Sequence, residues 1–583
     1  MPFDAFVLHC VAAEIEDKLI ATRARITKIY QINSNELLIH FRGEFKSYTL
    51  LLSAHPARAR IHLTSHHYAN PNVPPAFCML LRKHLIGASI TSLEQSPLER
   101  VLKIHLRAFN PEGRVGQKTL VAEIMERRSN MILLDDPDAE GKQIIMGASK
   151  AVPPFMNRVR TVLPHHQYVP PPPQDKLHPL ALDYNYFKME TGREQGRPAA
   201  EFLLDKLRGF SPFMAREIVA RAGIHTVSED GAPLLFEKMQ ELLQLNTDQK
   251  WEPTMICDKE GKPLDFTPFV PQQNTDVILR PFQSMSELLD DFFLYMQNSE
   301  EKDNLQQLIT RQVGQFMGKA RKREKNQLAE LERGGKGDHY RLCGELLNMN
   351  LHAVPPKADT VFLQNLFSEA AEPVKITLDP RLSASENAQR YFKKYRKAGN
   401  TLKKITARLN ATRQEIAYLE SVLYNTERSD WQGLKEIRSE LEDAGYLPGR
   451  PKAPATAKNP PFKPHKYKAP GGEEILVGRN NRQNDLLLRQ AAATDLWFHV
   501  KDIPGAHVIL KGTQPLPEAI EAAAMLAASH SRGAHSANVP VDYTTVKNVR
   551  RIPGAGPGMV TYTNYRTLFI TPDQAKLTTL LQT

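Results

Sequence analysis

Asp495-Leu-Trp-Phe-His-Val-Lys-Asp-Ile-Pro-Gly-Ala-His507, followed directly by Val508-Ile-Leu510, reads as strand, turn and strand. Side chains alternate along a strand, so Leu496, Phe498 and Val500 are expected on one face and Trp497, His499 and Lys501 on the other. The first set is core. The second is aromatic and basic, and two readings of it stand: a second apolar layer with locally satisfied histidines, or a surface where Trp497 stacks a base beside groups that hold a phosphate. The region around it, residues 473–583, is expected to be an α+β domain.

Upstream, residues 447–472 are basic and proline-rich and read as a linker. Before them, Leu402, Ile405, Leu409, Ile416, Leu419 and Leu423 recur at spacings of 3 and 4, with Thr412 breaking the seam. An earlier seam runs through Leu305, Ile309, Val313 and Phe316 to Leu342 and Leu346. Two seams of similar length predict a long antiparallel coiled coil over residues 281–446. Such an arm, about 45 residues long, projects on the order of 70 Å. Its return leg brings the chain back to the base, where the first and last domains are expected to meet.

The arm is basic. Lys393, Lys394, Arg396, Lys397, Lys403 and Lys404 on the second helix, and Lys319, Arg321, Lys322 and Arg323 on the first, read either as solvated faces or as contacts to RNA.

Further upstream, Leu203 to Gly223 reads as two short helices joined by Gly-Phe-Ser-Pro, with glycine closing one and Ser-Pro opening the next. This is helix-hairpin-helix-like, and residues 173–280 are assigned to it; the turn either presents amides to a phosphate or is an ordinary hairpin. The proline run Tyr168-Val-Pro-Pro-Pro-Pro-Gln closes the first domain, residues 1–172. That domain carries strand text at Lys28-Ile-Tyr-Gln-Ile, Glu36-Leu-Leu-Ile-His-Phe, Ser47-Tyr-Thr-Leu-Leu-Leu, Val101-Leu-Lys-Ile-His-Leu and Met131-Ile-Leu-Leu. Helices are expected at Phe6 to Leu19 and Ala76 to Ile86, which makes it α+β with a substantial sheet. The fold class is therefore multidomain α+β: an N-terminal α+β domain, a helix-hairpin-helix, a long antiparallel coiled coil and a C-terminal α+β domain.

The 583 residues exceed what one core supports. A net charge of +11 makes a polyanion the expected partner. No apolar run reaches the about 20 residues that span a bilayer, and no leader text opens the chain, so no membrane partner and a cytoplasmic location are expected. Cys10, Cys78, Cys257 and Cys343 are scattered singly, arguing against disulfides and zinc. His499 and His507 lack further ligands, so no metal is expected. The Gly554-Ala-Gly-Pro-Gly558 run lacks the lysine of a phosphate-binding loop, and no cofactor is expected.

Several segments in order resemble the NFACT family: Met1-Pro-Phe-Asp4, Lys28-Ile-Tyr-Gln31, Pro74-Pro-Ala-Phe-Cys-Met-Leu-Leu-Arg-Lys83, and Glu123-Ile-Met-Glu-Arg-Arg-Ser-Asn130. To these add Leu378-Asp-Pro-Arg-Leu-Ser-Ala-Ser-Glu-Asn-Ala388 with Tyr391-Phe-Lys-Lys-Tyr395, and Ile475-Leu-Val-Gly-Arg-Asn-Asn481. The stretch Asp495 to His507 resembles the family's C-terminal signature. The resemblance implies a non-enzymatic factor of ribosome-associated quality control. Such a factor binds a large ribosomal subunit, through rRNA and ribosomal proteins, that still carries peptidyl-tRNA. It acts there as a monomer and recruits alanyl-tRNA for untemplated alanine tailing, while the ribosome makes the peptide bonds. It implies tRNA contacts at Glu99 and Arg100, at Arg127, Arg128, Ser129 and Asn130, and at Trp497, His499, Lys501 and His507; Arg479, Asn480, Asn481 and Asp485, at a strand end before a helix, read either as tRNA contacts or as a capping and turn cluster. The arm cations are the implied ribosome contacts. Glu99 stands where the family has aspartate, Glu126 where it has glycine, and Ala506 where it has serine. If the glycine position has positive φ, Glu126 strains its turn.

Two other readings remain. Pro2 with acidic Asp4 and a helix-hairpin-helix is similar to DNA glycosylases that attack through a proline amine, although Phe3 occupies the place of their glutamate. The family's older label also suggests a cell-surface fibronectin-binding adhesin.

Overall fold

The computed structural model describes residues 3–68, 71, 73–109, 115–138, 140–172, 174–273, 276–333, 337–368, 372–449, 464–573 and 575–578. It is a mixed α+β chain of two compact units, Met1–Gln297 and Asn298–Thr583.

The first unit opens on helix α1 (Ala5–Ile15), after which a π turn, Glu16–Ile20, keeps Leu19 fully buried. Strands β1 (Arg25–Asn33), β2 (Glu36–Arg42), β3 (Ser47–Ser53) and β4 (Arg60–Leu63) precede helix α2 (Ala76–Leu85). Strands β5 (Ser89–Gln95), β6 (Val101–Phe109), β7 (Val115–Glu123), β8 (Asn130–Leu134) and β9 (Ile145–Ala148) follow. The nine form one sheet in the order β4-β3-β2-β1-β5-β6-β7-β8-β9, so almost every connection is a local antiparallel turn. Alternating burial along β6 explains why the text was readable as strand: Val101, Leu102, Ile104, Leu106 and Ala108 are buried between more exposed neighbours. The inner face of the sheet packs on α1 and α2 through Val7, Leu8, Val11, Cys78, Leu81 and Leu85.

Helices α3 (Tyr184–Arg193), α4 (Ala199–Lys206), α5 (Pro212–Ala222) and α6 (Ala232–Thr247) have their own apolar cluster, into which Phe6 and Leu98 reach. A three-stranded sheet of β10 (Thr254–Cys257), β11 (Pro263–Thr267) and β12 (Ile278–Pro281) comes next. Helix α7 (Met285–Arg333) then begins on a carboxylate cap: Glu14 accepts from the backbone N–H groups of Met285 (2.5 Å) and Ser286 (3.0 Å). One turn on, Asp290 accepts from the Thr64 hydroxyl (2.6 Å) and the Ser65 amide (2.8 Å) and pairs with His62 (3.0 Å).

In the second unit, α8 (Gly337–Met349) leads to a hairpin of β13 (Thr360–Gln364) and β14 (Pro373–Thr377), and then to α9 (Ala384–Arg428) and α10 (Trp431–Asp443). Ser383 and Glu386 close a reciprocal capping box at the start of α9. Ion pairs Arg321–Glu420 (2.9 Å), Arg323–Glu415 (3.1 Å) and Glu324–Arg413 (2.8 Å) show α7 and α9 running in opposite directions. Ile309, Val313, Leu419 and Val422 bury together between them, with Leu434 and Ile437 of α10.

The C-terminal sheet comprises β15 (His465–Lys468), β16 (Glu474–Val477), β17 (Leu496–Val500), β18 (Val508–Leu510), β19 (Val539–Thr545) and the later β22. Helix α11 (Asn481–Gln490) follows β16, and helix α12 (Pro517–Ser529) follows β18. A small separate ribbon pairs β20 (Val549–Arg551) with β21 (Val560–Tyr562), and β22 (Arg566–Ile570) closes the antiparallel order β15-β16-β18-β17-β19-β22. Alanines of α12 let it lie close to the sheet over Phe498, Val500 and Val508. The linker expected over 447–472 is narrower, because Leu447 is buried in the α9–α10 cluster and β15 begins at His465. The polar text of β15 gave no apolar alternation to read; residues 450–463 lie outside the described residues.

Candidate nucleic-acid interface

In the first unit, two turns lie side by side at one end of the large sheet. The β5–β6 turn carries Glu99 and Arg100; the β7–β8 turn carries Arg127 and Arg128. Val101 pairs with Glu123, Glu123 pairs with Asn130, and the Ile124 amide donates to the Arg100 carbonyl at 2.8 Å, so ladder register brings the turns together. Both turns contain a side-chain-bearing residue in left-handed backbone, Leu98 at φ 57 and Glu126 at φ 51. Such conformations persist only where their surroundings hold them. Gln95 holds the first turn by donating to the carbonyls of Ala5 (3.0 Å) and Glu99 (2.9 Å). The second rests on buried Glu123, which accepts from Arg160 (2.7 Å) and the Tyr168 hydroxyl (3.0 Å); burial pushes its carboxyl up despite those donors. Glu126 therefore occupies the strained position that glycine would fill without penalty.

The guanidinium groups of Arg127 and Arg128 are exposed and that of Arg100 is half-buried. None has a carboxylate of the described residues within ion-pairing distance. Ser129 and Asn130, expected as contacts, are instead buried parts of the turn. The Ser129 hydroxyl accepts from the Met125 amide at 2.8 Å, and Asn130 bonds Met131, Ser149 and Lys150. Their polar atoms are already satisfied.

The α4–α5 turn packs against Leu98 of the β5–β6 turn. A Cβ on Gly209 would lie 2.4 Å from the Leu98 Cβ and 2.5 Å from its carbonyl oxygen. The Ser211 hydroxyl donates to Asp4 at 2.8 Å while accepting from the Met214 amide at 3.2 Å. Asp4 also caps α1 through the Phe6 and Val7 amides, both at 3.1 Å, so its carboxylate has a structural task. Pro2 lies outside the described residues. Arg208, which the sequence reading does not single out, also reaches the β5–β6 turn. It stands 109 positions after Glu99 in the chain, yet its guanidinium lies 3.8 Å from the Glu99 carboxylate.

In the second unit, the strand, turn and strand of the Trp497 motif form as β17 and β18 with Leu496 opposite Leu510. Faces alternate as expected, but the second face is interior at Trp497, while His499 and Lys501 are half-buried. Trp497 is fully buried with Leu476, Leu487 and Ile509, roofed by Val549, Val560 and Tyr562 of the small ribbon. The ribbon was invisible to local pattern, so the ring becomes core and not an exposed stacking platform. His499 stacks on it (5.8 Å between centroids), and His507 meets both rings edge-on at 5.3 Å. Burial pushes His499 down to about 4 and His507 well below the usual imidazole range. At neutral pH both are uncharged, so they supply no cation for phosphate. Lys501 remains the basic group of the motif, its ammonium 5.5 Å from the Tyr565 ring.

Arg479, Asn480, Asn481 and Asp485 serve as internal mortar. Asn480 caps α11 by accepting from the Gln483 amide (2.9 Å) and donates to Glu436 (2.6 Å). Asn481 donates to Ser421 (3.0 Å) and Glu440 (3.3 Å), Arg479 pairs with Asp430, and Asp485 accepts from the Gly558 amide (2.8 Å). Arg479, Asn480 and Asn481 fasten the C-terminal domain to α9, α10 and the α10 cap, while Asp485 holds the loop of the small ribbon.

On the arm, Lys393, Lys394, Arg396, Lys397, Lys403 and Lys404 are exposed, and none is ion-paired among the described residues. Lys319 and Lys322 are exposed as well, whereas Arg321 and Arg323 are engaged by Glu420 and Glu415 across the helix pair. Among the described residues no cluster of His, Cys, Asp and Glu is arranged to hold a metal ion, and no helix is long and apolar enough to cross a membrane. All four cysteines are buried and free.

The profile of the NFACT N-terminal and middle domains matches residues 4–459, and that of the NFACT protein RNA binding domain matches residues 463–563. The Rqc2 homolog RqcH of Bacillus subtilis (strain 168) is 35% identical over 585 residues, covering 98% of each chain. The Rqc2 homolog RqcH of Streptococcus pneumoniae serotype 2 is 34% identical over 588 residues, covering 100% of each. Among solved structures, the N-terminal part of the fibronectin/fibrinogen-binding protein from Streptococcus suis is 30% identical at a TM-score of 0.41, covering 50% of this chain and 99% of that one.

Proposed function

The chain belongs to the NFACT family, and from that premise we propose that it is a ribosome-associated quality control factor that holds tRNA and the large ribosomal subunit without performing chemistry itself. It binds subunits still carrying peptidyl-tRNA and recruits alanyl-tRNA in the cytoplasm, and the ribosome forms the bonds of the alanine tail. The observation that carries the tRNA assignment is the pair of braced turns, where Arg100, Arg127 and Arg128 have no carboxylate within ion-pairing distance among the described residues. Cations held in fixed positions lose little entropy on meeting phosphate, and arginine offers a planar fork suited to it. Exposed, unpaired cations of the arm supply the contact to rRNA, where neutralised phosphates release counterions. In this reading residues 1–172, 173–280, 281–446 and 473–583 are the N-terminal, helix-hairpin-helix, coiled-coil and RNA-binding domains.

Affinity capture of the full chain followed by RNA sequencing, with co-sedimentation on sucrose gradients, tests the reading. Large-subunit rRNA and tRNA enriched in alanine acceptors are expected; capture without tRNA sinks it. A borohydride trap on abasic DNA separates the glycosylase reading, which requires a covalent adduct through Pro2.

A further inference from the structure

The surface that presents Arg100 also presents a carboxylate, Glu99, and an acid facing a polyanion needs an explanation. Glu99 is about as accessible as Arg208, their side chains being 20% and 21% exposed, and the two are 3.8 Å apart. Arg208 sits between α4 and Gly209, where its backbone is fixed: its amide donates to the Leu177 carbonyl at 2.9 Å, and the next residue is wedged against Leu98. Its side chain is less committed. Glu99 is its ion-pair partner among the described residues, through one nitrogen at long range, and the buried Nε has no hydrogen-bond partner. A guanidinium has five N–H donors, so most of its capacity is open.

On that geometry we propose that Arg208 is a further tRNA-contacting residue, binding backbone phosphate, and that Glu99 is its positioning residue. This deepens the tRNA reading above and rests on it. Glu99 neutralises part of the Arg208 charge in the free protein and orients the fork beside Arg100. Its own charge is in turn balanced, so it does not repel the RNA. Glutamate in place of aspartate extends the carboxylate by one methylene across the junction toward Arg208. The helical segment thereby joins the site through a side chain.

The test is fluorescence anisotropy of labelled tRNA with the full chain between about 50 and 200 mM salt, reading affinity and the slope of log affinity on log salt. Arg208→Ala is expected to weaken binding roughly tenfold and to flatten the slope by about 0.9, the loss of one phosphate contact. Arg208→Lys keeps the charge and is expected to keep the slope while losing part of the affinity. Glu99→Gln is expected to weaken binding about threefold alone and to add nothing in the Arg208→Ala background, as coupled residues do. An unchanged slope in a folded Arg208→Ala chain, or a Glu99→Gln effect that persists undiminished in that background, overturns the inference. Absence of tRNA binding by the unaltered chain overturns the functional reading itself. Were Arg208→Ala to unfold, Arg208→Gln removes the charge with less lost volume and is expected to flatten the slope by the same about 0.9, an unchanged slope again overturning the inference.

Discussion

Trp497 carries an indole N–H that no described group accepts, inside a cluster where the Nδ1 of His507 is also unpartnered. Leaving a buried donor unmet costs about 1–3 kcal/mol, while the indole ring provides the apolar volume under the β20–β21 ribbon. Trp497→Phe is therefore expected to change stability by less than about 1.5 kcal/mol, because it removes the orphan and keeps most of the packing, whereas Trp497→Ala costs about 3–5 kcal/mol. Chemical denaturation of the full chain measures both, and tRNA anisotropy of the phenylalanine variant should match the unaltered chain. A folded Trp497→Phe chain that loses tRNA restores the stacking reading. The alternation that placed Trp497 opposite Phe498 was legible in the sequence; what covers Trp497 was not, since Val549, Val560 and Tyr562 arrive from a ribbon beyond the next strand. At Glu126 the reverse holds. The departure from glycine was visible in text, but only the φ of 51° shows that it is strained. Glu126→Gly should stabilise the turn by about 1 kcal/mol, seen as slower hydrogen exchange at the Ser129 amide.

Elements meet at the seam between α9, α10 and α11, where chemistry was hardest to foresee. Glu440 is buried there, accepting from the Tyr418 hydroxyl (2.8 Å) and Asn481 (3.3 Å), with Arg482 close by and one carboxylate oxygen unpartnered. Burial pushes its carboxyl from 4.5 up to about 7. A raised folded-state value means the folded chain holds a proton that the unfolded chain has released. This contribution is thus fully present below pH 4.5 and is lost as pH rises to about 7, by about 3 kcal/mol at about 1.4 kcal/mol per unit. His499 acts oppositely: its folded value of about 4 lies below 6.5, so its contribution is present above 6.5 and is lost as pH falls toward 4. The two offset each other in the unaltered chain, and single variants separate them. Glu440→Gln is expected to remove the alkaline loss, raising the melting temperature at pH 8 relative to pH 5 compared with the unaltered chain; an unchanged difference would count against a buried protonated carboxyl. Heptad-like seams announced α7 and α9, because apolar spacing is a local property. A glutamate in a helix window such as Ser439-Glu-Leu looks solvated, and it is the arrival of Tyr418 and Asn481 from other elements that buries it.

At the scale of the whole chain, the excess of positive charge divides into sets with different surroundings. In the first unit Arg100, Arg127 and Arg128 sit on braced, strained turns; the arm's cations are many and exposed on a long helix. Clustering on the arm was plain in the text, but which cations were already engaged was not: Arg321 and Arg323 reach across to α9, while Lys393 through Lys404 do not reach back. Pairing across antiparallel helices depends on their axial register, which apolar spacing alone leaves open. The difference predicts a division of labour. Removing a fixed arginine deletes a single well-defined contact, so Arg100→Ala should weaken tRNA capture about tenfold with sedimentation on large subunits intact. Replacing Lys393, Lys394, Lys397, Lys403 and Lys404 by glutamine removes several diffuse phosphate contacts. It should therefore lower subunit binding at least about a hundredfold near physiological salt, flatten its salt dependence, and leave tRNA anisotropy within about twofold. The exposed helix positions tolerate glutamine, so circular dichroism should be unchanged. If either variant lost tRNA and subunit binding in equal measure, the two cation sets would form one continuous RNA surface, and separate anchoring and capture would be excluded.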